Sequence, residues 1–297
     1  MNETLLAKKL HPTHRTVIRI SDRLAVGDET LLVIAGPCSV ESFEQMDETA
    51  RRLLAAPVQM LRGGIFKPRS SPYSFQGLGD DGLQILSTIK GKYSVPVITE
   101  VMAIEQLTTL STCADVLQIG SRNMQNFDLL KAVGKLKKPV MLKRGFAATL
   151  EEFIYAAEYI LSQGNPNVML CERGIRSFDS YTRNVLDLGA VVALKQITHL
   201  PIIVDPSHAA GKRELVADLA KAAVAAGADG IMIECHPEPD KSISDARQAL
   251  SLDEMVDLVT ALHPIADAVG RYVERCEKVA PIASFQRQST LATVTIS

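Results

Sequence analysis

The stretch PVMLKRGFAATLEEFIYAAEYILS, residues 139–162, holds one complete structural unit. A short apolar run ends in Lys143 and Arg144, a loop opens at Gly145, and from Thr149 apolar residues recur at helical spacing. The reading is strand, loop and amphipathic helix, with the helix packed back on the strand. From Leu31 onward the same theme repeats in LLVIAG, QMLRGGIF, PVITEVM, VLQIG, PVMLKRG, VMLCERG, PIIVDP and GIMIEC, eight predicted strands. Helical stretches lie between them, among them KRELVADLAKAAVAAG (212–227), which closes on a glycine suited to a helix C-terminus. Residues 31–270 thus give eight units of about 30 residues, the spacing of a single α/β domain closed as a (β/α)8 TIM barrel. An open doubly wound sheet does not normally supply so many even units.

The flanks carry less pattern. Residues 1–30 are too few for an independent regulatory domain and read as a short extension, in which TVIRI is expected to form one strand of a hairpin plugging the barrel bottom. Residues 271–297 form a tail whose alternating end, TLATVTIS, reads as a strand paired in an oligomer or as a frayed terminus.

Charge narrows the function. Lys and Arg total 32 against 34 Asp and Glu, so no global field would hold nucleic acid or an anionic membrane, and any polyanion site must be local. No segment is apolar enough to cross a bilayer and the start lacks a secretory signal, so the expectation is a cytoplasmic protein. The five cysteines are scattered, with no Cys-x-x-Cys pair, which argues against a disulfide frame.

Barrel enzymes gather reactive groups where strands end. Here Cys38 follows the first run, Arg62 and Lys67 end the second, Glu100 ends the third and Arg122 follows the fourth. Lys143 and Arg144 end the fifth, Arg173 the sixth, Asp205 and His208 the seventh, and Glu234 the eighth. Taken singly, Cys38 reads as a small buried hydrophobe and His208 as a hydrogen-bonded structural residue. Closure makes the first and eighth strands neighbours, so Cys38, His208 and Glu234 converge, with Asp245 in the loop beyond. A thiolate, an imidazole and two carboxylates suit a divalent Mn, Fe, Co, Zn or Cu ion better than Mg or Ca, in the role of Lewis acid toward a carbonyl. Cys235 alternates to the opposite face and His236 is also left out of the set. A partly exposed Cys38 thiol would oxidise readily without metal, so activity is expected to be metal-protected.

A second constellation is cationic: Arg62, Lys67, Arg69, Arg122, Lys143 and Arg173. Glu100 and Glu172 neutralise part of such a set, and the remainder calls for two phosphorylated substrates, one also bearing a carboxylate. Gly77–Gly82 matches G-x-G-x-x-G, but it follows a polar loop and carries Asp80 and Asp81, so its glycines read as shaping the loop before the second helix.

Five segments are now in hand: Gly36-Pro37-Cys38-Ser39, Leu61–Gly64, Lys67–Gly77, Asp205–His208 and Glu234–Pro237. Together the chain resembles, over roughly residues 31–265, the 3-deoxy-D-arabino-heptulosonate 7-phosphate (DAHP) synthases of the short bacterial type, relatives of 3-deoxy-octulosonate 8-phosphate synthase. The resemblance implies condensation of phosphoenolpyruvate with erythrose 4-phosphate, the first step of the shikimate route to aromatic amino acids. It puts Cys38, His208, Glu234 and Asp245 on metal ligands, and Arg62, Lys67, Arg122, Lys143 and Arg173 on phosphoenolpyruvate. Arg69 and Ser70 fall on the sugar phosphate. Asp205, at its strand end, is read among the substrate-binding residues, and Lys67, close to both substrates, as the proton donor, with Lys67, His208 and Cys38 as the catalytic set. Dimers or tetramers are usual in this family, and many members carry a fused regulatory domain that these flanks do not accommodate, so no fused feedback control is expected. The octulosonate enzymes, which use arabinose 5-phosphate, usually have Asn-Arg-Ser-Ser where this chain has Lys67-Pro68-Arg69-Ser70-Ser71; Pro68 therefore favours the four-carbon sugar. A Schiff-base aldolase with Lys143 as amine is the mechanistic rival, but it has no use for the Cys/His/Glu/Asp set.

Overall fold

The computed structural model of the chain describes residues 5–69 and 71–274. The segment containing TVIRI forms an antiparallel hairpin of β1 (Ile18–Ser21) and β2 (Leu24–Val26). The eight apolar runs then become β3 (Leu32–Gly36), β4 (Met60–Arg62), β5 (Val97–Val101), β6 (Val116–Ile119), β7 (Val140–Lys143), β8 (Val168–Glu172), β9 (Ile202–Val204) and β10 (Gly230–His236). Each pairs in parallel with the next, and β10 pairs with both β9 and β3, placing Glu234 opposite Gly36 and closing the barrel. A short β11 (Leu250–Ser251) extends β10 through Cys235 and His236.

The helices are α1 (Phe43–Leu53), α2 (Asp80–Tyr93), α3 (Leu107–Cys113), α4 (Phe127–Gly134), α5 (Leu150–Leu161), α6 (Leu188–Ile197), α7 (Pro206–Ala210), α8 (Arg213–Ala225) and α9 (Leu252–Ala268). Their starts are chemically marked. Thr149 and Ser251 form capping boxes with Glu152 and Glu254, and Ser42, Asn126 and Asp187 cap α1, α4 and α6. Gly227, at φ +92°, follows α8 as its sequence pattern indicates.

Strand alternation divides the core. Val33, Leu61, Val97, Leu117, Leu142, Leu170, Ile202 and Ile233 belong to the outer layer under the helices, whereas Leu32, Ile34, Met60, Ile98, Val116, Met141, Met169, Cys171, Ile203 and Met232 fill the interior. Ile18, Leu24 and Val26 of the hairpin join the interior cluster and plug its N-terminal end. One period of two residues further along, the inward positions turn polar: Arg62 follows Met60, Glu100 follows Ile98 and Gln118 follows Val116. Lys143 likewise follows Met141, Arg173 follows Cys171, Asp205 follows Ile203 and Glu234 follows Met232. Ile34 is followed by Gly36, where a Cβ would lie 2.3 Å from the Arg62 carbonyl oxygen. This polar layer is the mouth.

Gly77, at φ +97°, turns against Ile65, and Gly79 precedes α2, so the Gly77–Gly82 glycines shape a loop and do not open a dinucleotide site. The start of the tail is tied down: Tyr272 bridges Thr30, and Arg271 pairs with Asp229. TLATVTIS and Cys276 lie outside the described residues. Among the described residues no helix is long and apolar enough to cross a membrane.

Candidate active site

Cys38 follows β3, His208 sits in α7, Glu234 in β10 and Asp245 in the loop after β10, and one donor atom from each lies within 4.8 Å of the others. Barrel closure causes this meeting, because β3 and β10 are paired neighbours. Asp205, the N-cap of α7, accepts the His208 backbone N–H at 3.0 Å and faces His208 Nδ1 at 2.7 Å. With Nδ1–H donated to Asp205, Nε2 presents a lone pair to the cluster, 3.2 Å from Glu234 Oε1. Burial holds the His208 pKa below its ordinary value although Asp205 and Glu234 oppose it, so the ring is neutral. Burial also works against ionisation of Asp245 and Asp205. At Asp245 the Cys38 hydrogen bond, Arg183 and Lys67 work the other way, and at Asp205 Lys143, the His208 hydrogen bond and Arg62 do, so both carboxyls stay below the usual range.

Cys38 is 3% exposed, which corrects the expectation of a partly exposed thiol. Its Sγ lies 3.1 Å from Asp245 Oδ2 and 3.0 Å from Lys67 Nζ, and these two side chains cover it. Burial, reinforced by Glu234 and opposed by Lys67, pushes the thiol up to about 12. A divalent cation between the carboxylates would displace that proton. An oriented imidazole lone pair, two carboxylates and a displaceable thiol proton fit a divalent transition ion. His236 is engaged elsewhere: Nδ1 accepts from Glu238 N–H at 3.0 Å, and Nε2 lies 3.3 Å from Glu41 Oε2. Cys235 packs in the outer layer, on the face opposite Glu234.

Arg62, Lys67, Arg69, Arg122, Lys143 and Arg173 line one cavity of about 330 Å³, whose wall includes His208 and Asp245. Arg62, Lys67, Lys143 and Arg173 are each at most 7% exposed. Arg62 Nη2 donates to Glu234 Oε1 at 2.9 Å, whereas buried Nη1 has no partner among the described residues. Such an orphaned cationic N–H is costly unless an anion meets it. Lys143 pairs with Asp205, so it is not presented as a free amine. Arg144 is directed away from the cavity, pairing with Glu172 at 2.9 Å and Asp187 at 3.0 Å. The Phe146 ring carries Arg173, Arg176 and Arg122 at 4.8, 5.1 and 5.5 Å from its centroid. Arg69 stands at the cavity with Nε donated to the Phe75 carbonyl at 3.1 Å; Ser70 lies outside the described residues.

Asp205, read from its strand-end position as a substrate contact, is fully buried behind Lys143 and His208 and does not line the cavity. Two further residues carry no strand-end signal. Arg183, in the loop after β8, lines the cavity and donates to Asp245 Oδ1 at 3.3 Å and Gln248 Oε1 at 3.2 Å. The Gln248 amide in turn donates to Glu234 Oε2. Gln118, also at the cavity, was findable as the inward position one period after Val116.

Fold and cavity together define a class: a barrel enzyme with a cationic cavity at its mouth beside a cluster that could hold a metal ion. The chain belongs to the DAHP synthetase I family, whose sequence model matches residues 15–269. It is 49% identical over 266 residues to the phospho-2-dehydro-3-deoxyheptonate aldolase of Thermotoga maritima, covering 90% of this chain and 78% of that one. A 2-dehydro-3-deoxyphosphooctonate aldolase of Legionella pneumophila is 34% identical over 263 residues, 82% of this chain and 95% of the relative. Among solved structures, the Thermotoga maritima DAHP synthase superposes with a TM-score of 0.87 at 48% identity, covering 91% of this chain and 79% of that one. A truncated form of the Thermotoga enzyme gives 0.84 at 45% identity, with 91% of this chain and 98% of that chain covered.

Proposed function

We propose that this chain condenses phosphoenolpyruvate with erythrose 4-phosphate to give DAHP and inorganic phosphate, the entry step of the shikimate route. The observation that carries this is the juxtaposition of four donor atoms within 4.8 Å with a cavity lined by Arg62, whose buried Nη1 has no partner among the described residues. Higher identity to the Thermotoga heptonate enzyme than to the Legionella octonate enzyme, 49% against 34%, supports the four-carbon sugar.

In this proposal Cys38, His208, Glu234 and Asp245 hold a divalent ion drawn from Mn, Fe, Co, Zn and Cu. When bound, that ion supplies Lewis acidity toward the aldehyde oxygen of the sugar. Arg62, Lys67, Arg122, Lys143 and Arg173 grip the phosphate and carboxylate of phosphoenolpyruvate and aim its C3 at the aldehyde carbon. Arg69 and Ser70 take the sugar phosphate. The new carbon–carbon bond forms from the C2–C3 π pair, water adds at C2, and phosphate leaves with cleavage of its C–O bond. Lys67 gives a proton to the new hydroxyl; burial works against its charge, but Cys38 and Glu100 outweigh this and raise its pKa, so it enters the step protonated. Asp205, placed among the substrate-binding residues, also orients His208 and Lys143. The proposal includes a catalytic barrel over residues 31–270 with a 1–30 extension and a 271–297 tail, and a cytoplasmic homo-oligomer, dimer or tetramer.

Phosphate release tests it: expected with both substrates, absent with either alone, lost on chelation and restored by adding a divalent ion. Exclusive turnover of arabinose 5-phosphate would overturn the sugar assignment. Activity surviving exhaustive chelation, with borohydride trapping on Lys143, would overturn the metal reading in favour of a Schiff base.

A further inference from the structure

We propose that Glu41 is a positioning residue for Asp245 and thereby tunes the affinity of the site for its cation. The proposal rests on the reading of Asp245 as a metal ligand. Of the four donors, Glu234 lies in a strand, Cys38 follows one directly and His208 lies in a capped helix; Asp245 lies on the irregular loop between β10 and β11. It holds φ +56°, a left-handed backbone uncommon outside glycine. Its side-chain position therefore depends on what fixes the loop.

Glu41 fixes it from the neighbouring connection, the one that leaves β3 beside β10. This side chain, 11% exposed, stands in the segment between Cys38 and α1. Its Oε1 accepts the Ile243 N–H at 3.0 Å and the Ser242 hydroxyl at 3.2 Å. Its Oε2 faces His236 Nε2 at 3.3 Å, and because Glu238 N–H occupies Nδ1, the His236 proton sits on Nε2 and is donated to Glu41. One carboxylate thus spans the loop from its root on β10 to the residues just ahead of Asp245. A parallel contact, Ser39 Oγ to Ser244 Oγ at 2.6 Å, joins the residue after Cys38 to the residue before Asp245. The segment that carries the thiol consequently sets the place of the carboxylate 3.1 Å from it. Glu41 does not line the cavity, so the catalytic steps above do not use it.

Titration of the full chain with Co(II) tests this, since thiolate-to-Co(II) charge-transfer absorption reports Cys38 ligation independently of turnover. Glu41→Ala is expected to weaken Co(II) binding by about 10-fold or more, the usual effect of losing a residue that supports a ligand. Glu41→Gln keeps an oxygen for Ile243 and Ser242 and is expected to retain most of the affinity. A Glu41→Ala chain that binds Co(II) like the wild type overturns the proposal, and so does one that only lowers the metal-free melting temperature while affinity per folded chain is unchanged. If Glu41→Ala does not fold, Ser244→Ala loosens the loop from the other side and is expected to weaken Co(II) in the same direction; unchanged affinity there overturns the proposal. Failure of the parent reading has a different signature: Cys38→Ser would keep the charge-transfer band, or Asp245→Asn would bind Co(II) like the wild type.

Discussion

The bottom and the mouth of the barrel are made by the same inward faces of the same strands, one period of two residues apart. At the bottom those faces carry Met60, Ile98, Val116, Met141, Ile203 and Met232, sealed by Ile18, Leu24 and Val26. At the mouth they carry Arg62, Glu100, Gln118, Lys143, Asp205 and Glu234. The lower layer keeps water out from beneath, and its burial offsets the desolvation of the charges above it. The upper layer pairs buried charges with one another, as Arg62 with Glu234 and Lys143 with Asp205, and leaves others on the cavity wall, as at Arg173. Stability and chemistry are therefore separated by height along the barrel axis, and substitutions at the two levels should move different observables.

The largest effect is expected at the mouth. Cys38→Ser removes one donor of the cluster and should lower kcat on the order of 10³-fold, the loss that goes with several kcal/mol of Lewis-acid assistance. Bound metal per chain should fall with it, while the melting temperature of the metal-free chain stays close to wild type. At the bottom, Ile18→Ala opens a void in a fully buried site and should cost about 3 kcal/mol of stability in denaturant unfolding. Its kcat at a temperature where it is folded should match the wild type; an equal fall in both would show that the two levels are coupled. The smallest effect concerns Phe146→Leu, which removes the ring under Arg122 and Arg173 but keeps apolar bulk. Loss of cation–π support worth about 1 kcal/mol should raise the KM for phosphoenolpyruvate about 5-fold and leave kcat and stability near wild type.

Much of this division was legible in the sequence because it follows local rules. Alternating β-branched runs, the capping box at Thr149 and the glycine after α8 gave strands and helices at their places, and strand ends located Arg62, Lys143 and Glu234. Cys38 was reachable by one topological step, closure of β3 against β10. Contacts made by irregular loops left no such trace. Arg183 and Gln248 meet Asp245 and Glu234 through loops of no period, and Glu41 reaches Ile243 across 202 positions of chain. Asp205 is a related case: strand alternation says that it points inward but not that His208 and Lys143 engage its carboxylate. The exposure of Cys38 was misjudged because Lys67 and Asp245, both outside regular strands, cover the thiol.

Anomalous diffraction from crystals soaked with Mn(II) and phosphoenolpyruvate tests the central claim most directly. The expected result is one ion bound by Cys38 Sγ, His208 Nε2, Glu234 and Asp245, with the phosphoenolpyruvate oxygens on Arg62, Lys67, Arg122, Lys143 and Arg173. An ion held elsewhere, or phosphoenolpyruvate absent from the cavity that Arg62 lines, would contradict it.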